Sequence, residues 1–264
     1  MSLLAGPEIS LTVLALLVLA AATAGFVDAV VGGGGLIQLP ALLVALPGSA
    51  TVEILATNKL ASAMGVSVSS ATYYRRVRPD PKVFGPMMAV AFAGAAAGSL
   101  TAFLIPRGAF DPIVLVVLLL VGAWVLLRPD VGAETALRHS AGRHTVLAML
   151  LGAGIGFYDG VLGPGTGSFL VVGLVTLGYS FLDASANARL ANLATNVASL
   201  VVFVPQGAVL WGVGLAMGVG NVLGAYVGAR VAVARGASFV RAFFVLVVAA
   251  FAVRIGGDVL GLWG

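Results

Sequence analysis

The sequence predicts an all-α polytopic membrane protein made of two inverted-topology repeats, each of about five membrane segments. Three observations carry this. Of 264 residues, 60% are hydrophobic and 9% charged, with a mean hydropathy of +1.11. A soluble domain carries about 25% charged residues, so a soluble enzyme, a nucleic-acid binder and a disordered chain are excluded. Apolar runs of membrane length recur along the whole chain. The two halves also repeat each other, with their basic loops on opposite sides.

The first run of span length is 9–31. It does not read as a cleaved leader, because residues 1–8 hold no Lys or Arg and the basic n-region is missing. Further full-length runs cover 53–72, 83–105, 111–128, 144–162, 184–204, 208–229 and 238–258. Two shorter pieces, 36–47 and 168–179, fall below the ~20 residues of a straight span. They fit tilted spans, half-helices or re-entrant segments. Each repeat thus has four full helices and one short Gly-flanked segment. The N-terminal repeat takes 1–128, a cytoplasmic connecting loop 129–143, and the C-terminal repeat 144–264. The 36 glycines suit close helix packing in a bilayer. Trp124, Trp211 and Trp263 fit interfacial anchors, and His139 and His144 read as ordinary interfacial residues.

The repeat is legible in four stations that keep one order. GFVDAVVGGGGL at 25–36 matches GFYDGVLGPGTG at 156–167. Glu53 answers to Asp183, and NKLAS at 58–62 to ARLAN at 188–192. Gly94 and Gly98 answer to Gly220 and Gly224, and Arg107 to Arg235, with offsets from 126 to 131. The basic loop Arg75, Arg76, Arg78 and Lys82 has an uncharged counterpart around Pro205 to Gly207. Conversely, Arg230, Arg235 and Arg241 stand opposite Arg107 alone. Inversion predicts this swap. With each short piece counted as a crossing, ten of the 14 Lys and Arg face the cytoplasm and both termini lie outside.

The candidate site grows from the matched breaks, Gly32 to Gly35 and Gly163 to Gly167. Glycine lets the backbone unwind, and Pro164 removes a donor. Unwound backbone at membrane depth survives where it lines a cavity or is buried in protein. A half-helix starting after each break would aim N–H groups and a positive dipole end at that cavity. Gly33, Gly34, Gly35, Gly165, Thr166 and Gly167 are therefore candidate anion binders. A tight turn or close packing is the plainer alternative.

Lys59 and Arg189 hold equivalent positions, each six residues after an acid, or ~9 Å along a helix. A cation there costs ~2.5–3.5 kcal/mol even on the lenient insertion scale. Either the two attract an anionic substrate at the repeat interface, or their stems snorkel to the headgroups. Asn58, Asn192 and Asn196 lie on the same helices and either donate to the substrate or tie helices together. Asp28 and Asp159, each just before a Gly break, are candidate proton carriers, partners of the cations, or interface residues. With no cysteine and two histidines, neither a metal set nor a Ser/His/Asp arrangement is found. No metal or cofactor is expected, and no enzyme activity.

GFVDAVVGGGGLIQLPALL (25–43), ATNKLASAMG (56–65) and GFYDGVLGPGTGSFL (156–170), with ASANARLANLATN (184–196) and residues 206–232, resemble the TauE/SafE sulfite exporter family. The resemblance covers nearly the whole chain. It implies a plasma-membrane secondary transporter exporting sulfite or an organosulfonate such as sulfoacetate. By position it points to Gly32 to Gly35, Asn58, Lys59, Gly163 to Gly167, Arg189 and Asn192. Ala188 replaces Asn58 in the repeat, so the half-sites are not chemically equal. The alternatives are an anion channel or an uptake permease for another small anion. The expected partners are the anion and the lipid bilayer, with a homodimer left open and no nucleic acid.

Topology is testable directly, since the chain has no background thiol. Arg78→Cys and Arg235→Cys should be shielded from an impermeant reagent added outside intact cells, and Gly207→Cys should be labelled. The reverse at 235 and 207 removes the inverted arrangement.

Overall fold

The computed structural model describes residues 9–102, 135–136 and 141–259. Among these it is all-helical: α1 (Leu11–Val31), α2 (Gly35–Ala45), α3 (Thr51–Val77), α4 (Pro81–Thr101), α5 (Ala141–Val161), α6 (Thr166–Thr176), α7 (Phe181–Phe203) and α8 (Trp211–Val259). Helix α8 is interrupted at Gly236, at φ 74° and ψ −170°, a conformation open to glycine alone. The expected span 111–128 lies outside the described residues, as do Arg107, Trp124, His139, Trp263 and most of the connecting loop.

Among the described residues, three helices are long and apolar enough to cross a bilayer by length and composition: Leu11–Val31, Pro81–Thr101 and Gly142–Val161. Their outer faces show what surrounds them. Leu16, Leu19, Leu100 and Leu150 are each more than 60% exposed, while Lys59, Arg189, Asn58 and Asn196 are buried. Apolar surface outside and charge inside is the reverse of a water-soluble arrangement. It suits lipid as the solvent.

Each short segment is a half-helix. At 11 residues, α2 and α6 are ~16 Å long, about half the hydrocarbon core. Both fold back along the helix before them. The Gly34 N–H donates to Asp28 Oδ1 at 3.3 Å, and Leu39, Leu42 and Leu46 share a core with Leu17 and Ala21 near the start of α1. In the second half, Tyr179 just beyond α6 meets His144 at the start of α5, Oη to Nε2 2.9 Å. His144 is therefore 2% exposed and fastens a hairpin, where the sequence suggested an ordinary interfacial residue. Because each hairpin returns to its own starting end, α3 and α7 begin where α1 and α5 began.

The halves interlock. α1 packs on α8 and α5 on α4; α3 packs on α8 and α7 on α4; α3 and α7 pack on each other. Small residues make these contacts close. A Cβ on Gly94 would overlap the Ala153 carbonyl oxygen, and one on Gly98 that of Phe157. On the other side, Gly224 meets the Ala22 carbonyl and Gly228 that of Phe26. The structural counterparts of Gly94 and Gly98 are thus Gly224 and Gly228, one helical turn beyond Gly220 and Gly224. The Gly-every-four pattern of 220, 224 and 228 hid the register, and its correct offset, 130, agrees with that of the site motifs. Asn221 fills the space left by both Gly25 and Gly65.

Gly98→Ala and Gly224→Ala should each lower stability by about 1–3 kcal/mol through overpacking. Gly154→Ala, with nothing near its Cβ, should be neutral or mildly stabilising by helix propensity. Thermal unfolding in detergent micelles reads the difference.

Candidate functional site

The two breaks meet. Gly32 closes α1 in the left-handed region, φ 78°, and Gly163 and Gly165 open the second break at φ 93° and 78°. A Cβ on Gly32 would collide with the Gly167 backbone, and one on Gly35 would sit 3.5 Å from Pro164. The contact is tied by Ser168, whose Oγ donates to the carbonyls of Val31, at 3.2 Å, and Gly32. Within the second break, Thr166 Oγ1 donates to the Gly163 carbonyl at 2.9 Å and Tyr158 Oη to that of Pro164 at 2.7 Å. The N-termini of α2 and α6 therefore open toward one point, each with first-turn N–H groups outside the helical ladder.

At that point lies a cavity lined by Asp28, Gly33, Gly34, Gly35, Asn58, Lys59 and Ser62 from one half, and by Asp159, Gly163, Gly165, Thr166, Gly167, Asn192 and Asn196 from the other. Its volume is about 20 Å³, enough for roughly one water molecule. The lining leaves little free space between its own side chains.

Two ion pairs cross between the halves. Lys59 Nζ lies 2.6 Å from Asp159 Oδ2, with both side chains 3% exposed. Arg189 Nη1 lies 3.4 Å from Asp28 Oδ2 and donates to the Asp28 main-chain carbonyl. Each cation is thus held by the carboxylate of the opposite break. Of the alternatives open for Asp28 and Asp159, the structure shows the ion pairs. Two cations and two carboxylates leave the centre with no net charge.

Nearly every sequence candidate converges here; Arg189 stands one layer back. It is completely buried behind the Gly32–Gly167 contact, where its Nη2 would be 3.0 Å from a Cβ on Gly167. Its Nε and Nη2 have no hydrogen-bond partner among the described residues, nor does Asn58 Oδ1. Asn196 Nδ2 donates to Asn192 Oδ1 at 3.1 Å, so these two amides form one polar patch. Thr57, next to Asn58 on α3, does not line the cavity: its Oγ1 accepts from the Leu210 N–H at 3.0 Å.

Ser62, Ser168, Tyr158 and Tyr73 escaped sequence reasoning. Ser62 was findable, one helical turn after Lys59 and in register with Asn192 in the repeat. Tyr73 donates to the Ala29 carbonyl at 3.0 Å, a contact across 44 residues that no local pattern announces.

An apolar helical bundle with a charged cavity at paired helix breaks is the architecture of a membrane transporter. The chain belongs to the sulfite exporter TauE/SafE family, whose model matches residues 17–255. It is 40% identical over 252 residues to the probable membrane transporter protein ORF9 of Sinorhizobium sp, covering 95% of each chain. It is 34% identical over 252 residues to the probable membrane transporter protein YfcA of Escherichia coli K12, covering 94% of this chain and 91% of that one. A probable membrane transporter protein of Haemophilus influenzae is 35% identical over 241 residues, covering 90% and 92%. No solved structure matches.

Asp159→Asn would leave the Lys59 cation buried without its partner, which costs about 3–5 kcal/mol. The double variant Lys59→Gln with Asp159→Asn removes both charges and should recover most of the loss. Melting temperatures of the three proteins in one detergent measure this, and a double variant as unstable as Asp159→Asn would refute the pair.

Proposed function

We propose that the chain is a multi-pass plasma-membrane carrier that exports a small sulfur-containing anion, sulfite or an organosulfonate such as sulfoacetate, by alternating access. One observation carries the reading: both Gly breaks, Lys59 and the amides of Asn58, Asn192 and Asn196 line one cavity at the crossing of the halves. Backbone N–H groups, amides and a cation are the donor set an oxyanion needs. The name of the family supports a sulfur oxyanion as cargo.

The small volume of the cavity supports a carrier over an open pore. Sulfite is larger than the single water the site accommodates, so loading it requires the halves to part. Reciprocal packing across the centre supports inverted repeats, whose exchange would open the site to each side in turn.

The crossed ion pairs suggest how charge is handled. An arriving anion competes with Asp159 for Lys59 and, once the break parts, with Asp28 for Arg189. A carboxylate released from its cation in a low-dielectric site is stabilised by taking a proton. A monoanion and one proton then enter together with no added net charge. Asp28 is the better proton port, because its side chain is 14% exposed against 3% for Asp159.

A charged contact contributes about 1.5–3 kcal/mol, so losing one cation should weaken binding roughly 10- to 100-fold. Lys59→Gln made with Asp159→Asn, and Arg189→Gln made with Asp28→Asn, keep the site neutral while removing the cation. Loss of a carboxylate alone favours an anion, so weaker binding reports the cation. Arg189→Lys should recover part of the affinity, lacking the planar fork. Binding of sulfite, sulfate, thiosulfate, taurine, sulfoacetate and acetate to purified protein ranks the substrates. Counterflow in proteoliposomes with Asp28→Asn should keep exchange and lose pH-gradient drive. Wild-type affinity in both neutral double variants would sink the site.

A further inference from the structure

A second cavity, larger than the central one at about 620 Å³, lies between the end of α3 and the middle of α8. Arg75, Arg76 and Arg230 line it together with Tyr226, Ala71 and Val233, and no carboxylate is in its wall. The Arg230 guanidinium rests 4.2 Å above the centre of the Tyr226 ring, which fixes its position. Among the described residues none of these arginines has a carboxylate within ion-pair range. Three cations facing one space repel one another until an anion fills it.

The geometry points to a structural binding site for an anionic phospholipid, its phosphate held by Arg75, Arg76 and Arg230. The inference needs the chain to sit in a bilayer, and is independent of which anion it carries. Size argues for an amphiphile, since the cavity far exceeds a small oxyanion. So does the surface below it. Val219, Leu223 and Val227 are 56%, 63% and 51% exposed and recur every four residues, one apolar stripe on α8. That stripe runs from the arginines toward the bilayer interior, where an acyl chain would lie. Its polar end is the end of α3, on the side the basic loops assign to the cytoplasm. Basic pockets between helices at that level suit lipid phosphates.

The test uses the full chain, purified in a neutral detergent and stripped of lipid. Phosphatidylglycerol should bind in preference to phosphatidylcholine, measured by native mass spectrometry and by the rise in melting temperature. Each arginine should contribute about five-fold in affinity, so Arg75→Gln, Arg76→Gln and Arg230→Gln combined should lose about 100-fold. Ala71→Trp with Val233→Trp keeps the charges but fills the cleft, and should lose lipid as well. It decides the matter if the triple variant does not fold. Wild-type lipid retention in either folded variant overturns the proposal. So does displacement of phosphatidylglycerol by millimolar inorganic phosphate or sulfite, which would assign the cleft to a soluble oxyanion.

Discussion

Charges buried at the centre of an apolar bundle must be neutralised where they stand, because desolvation costs each of them several kcal/mol. This chain meets that constraint by crossing the partners: Lys59 to Asp159, Arg189 to Asp28. The cations come from α3 and α7, the carboxylates from the ends of α5 and α1. Each half supplies one cation and one carboxylate, but both contacts are made across the halves, so the pairing itself holds the halves in register.

Bringing those groups together requires backbone to approach backbone. The breaks touch because Gly32 and Gly167 carry no side chain, and the helices carrying them pack through Gly94, Gly98, Gly224 and Gly228 against bare carbonyls. Without apolar attraction between helices in lipid, such close packing is a principal source of association. The glycines thus serve stability at the helix contacts and donor geometry at the breaks. The half-helices then deliver their N-termini to the centre without crossing it.

Positive charge has two distinct placements. Lys59 and Arg189 are buried and paired, positioned by the repeat. Arg75, Arg76 and Arg230 gather at one end of the bundle without carboxylates and above an apolar stripe. The first arrangement is buried at the centre; the second lines an open cleft at the end of α3. Only the first is built from matched positions of the two halves.

The sequence by itself determined the class of fold, the short segment that follows each Gly break, and almost the whole cavity lining. These follow from composition, from segment length and from the recurrence of the Gly breaks and of NKLAS as ARLAN, all local or additive signals. What only the tertiary structure decided depends on contacts between distant residues. Four-residue glycine spacing is invariant to a one-turn slip, so only the carbonyl contacts match Gly224 and Gly228, rather than Gly220 and Gly224, to Gly94 and Gly98. Equivalence in the repeat could not say which acid each cation meets, and packing crossed the pairs. Nor could it say that Arg189 stands behind the Gly32–Gly167 contact while Lys59 reaches the cavity wall. Two residues at matched positions share a backbone site, but their surroundings differ wherever the halves differ in side chain.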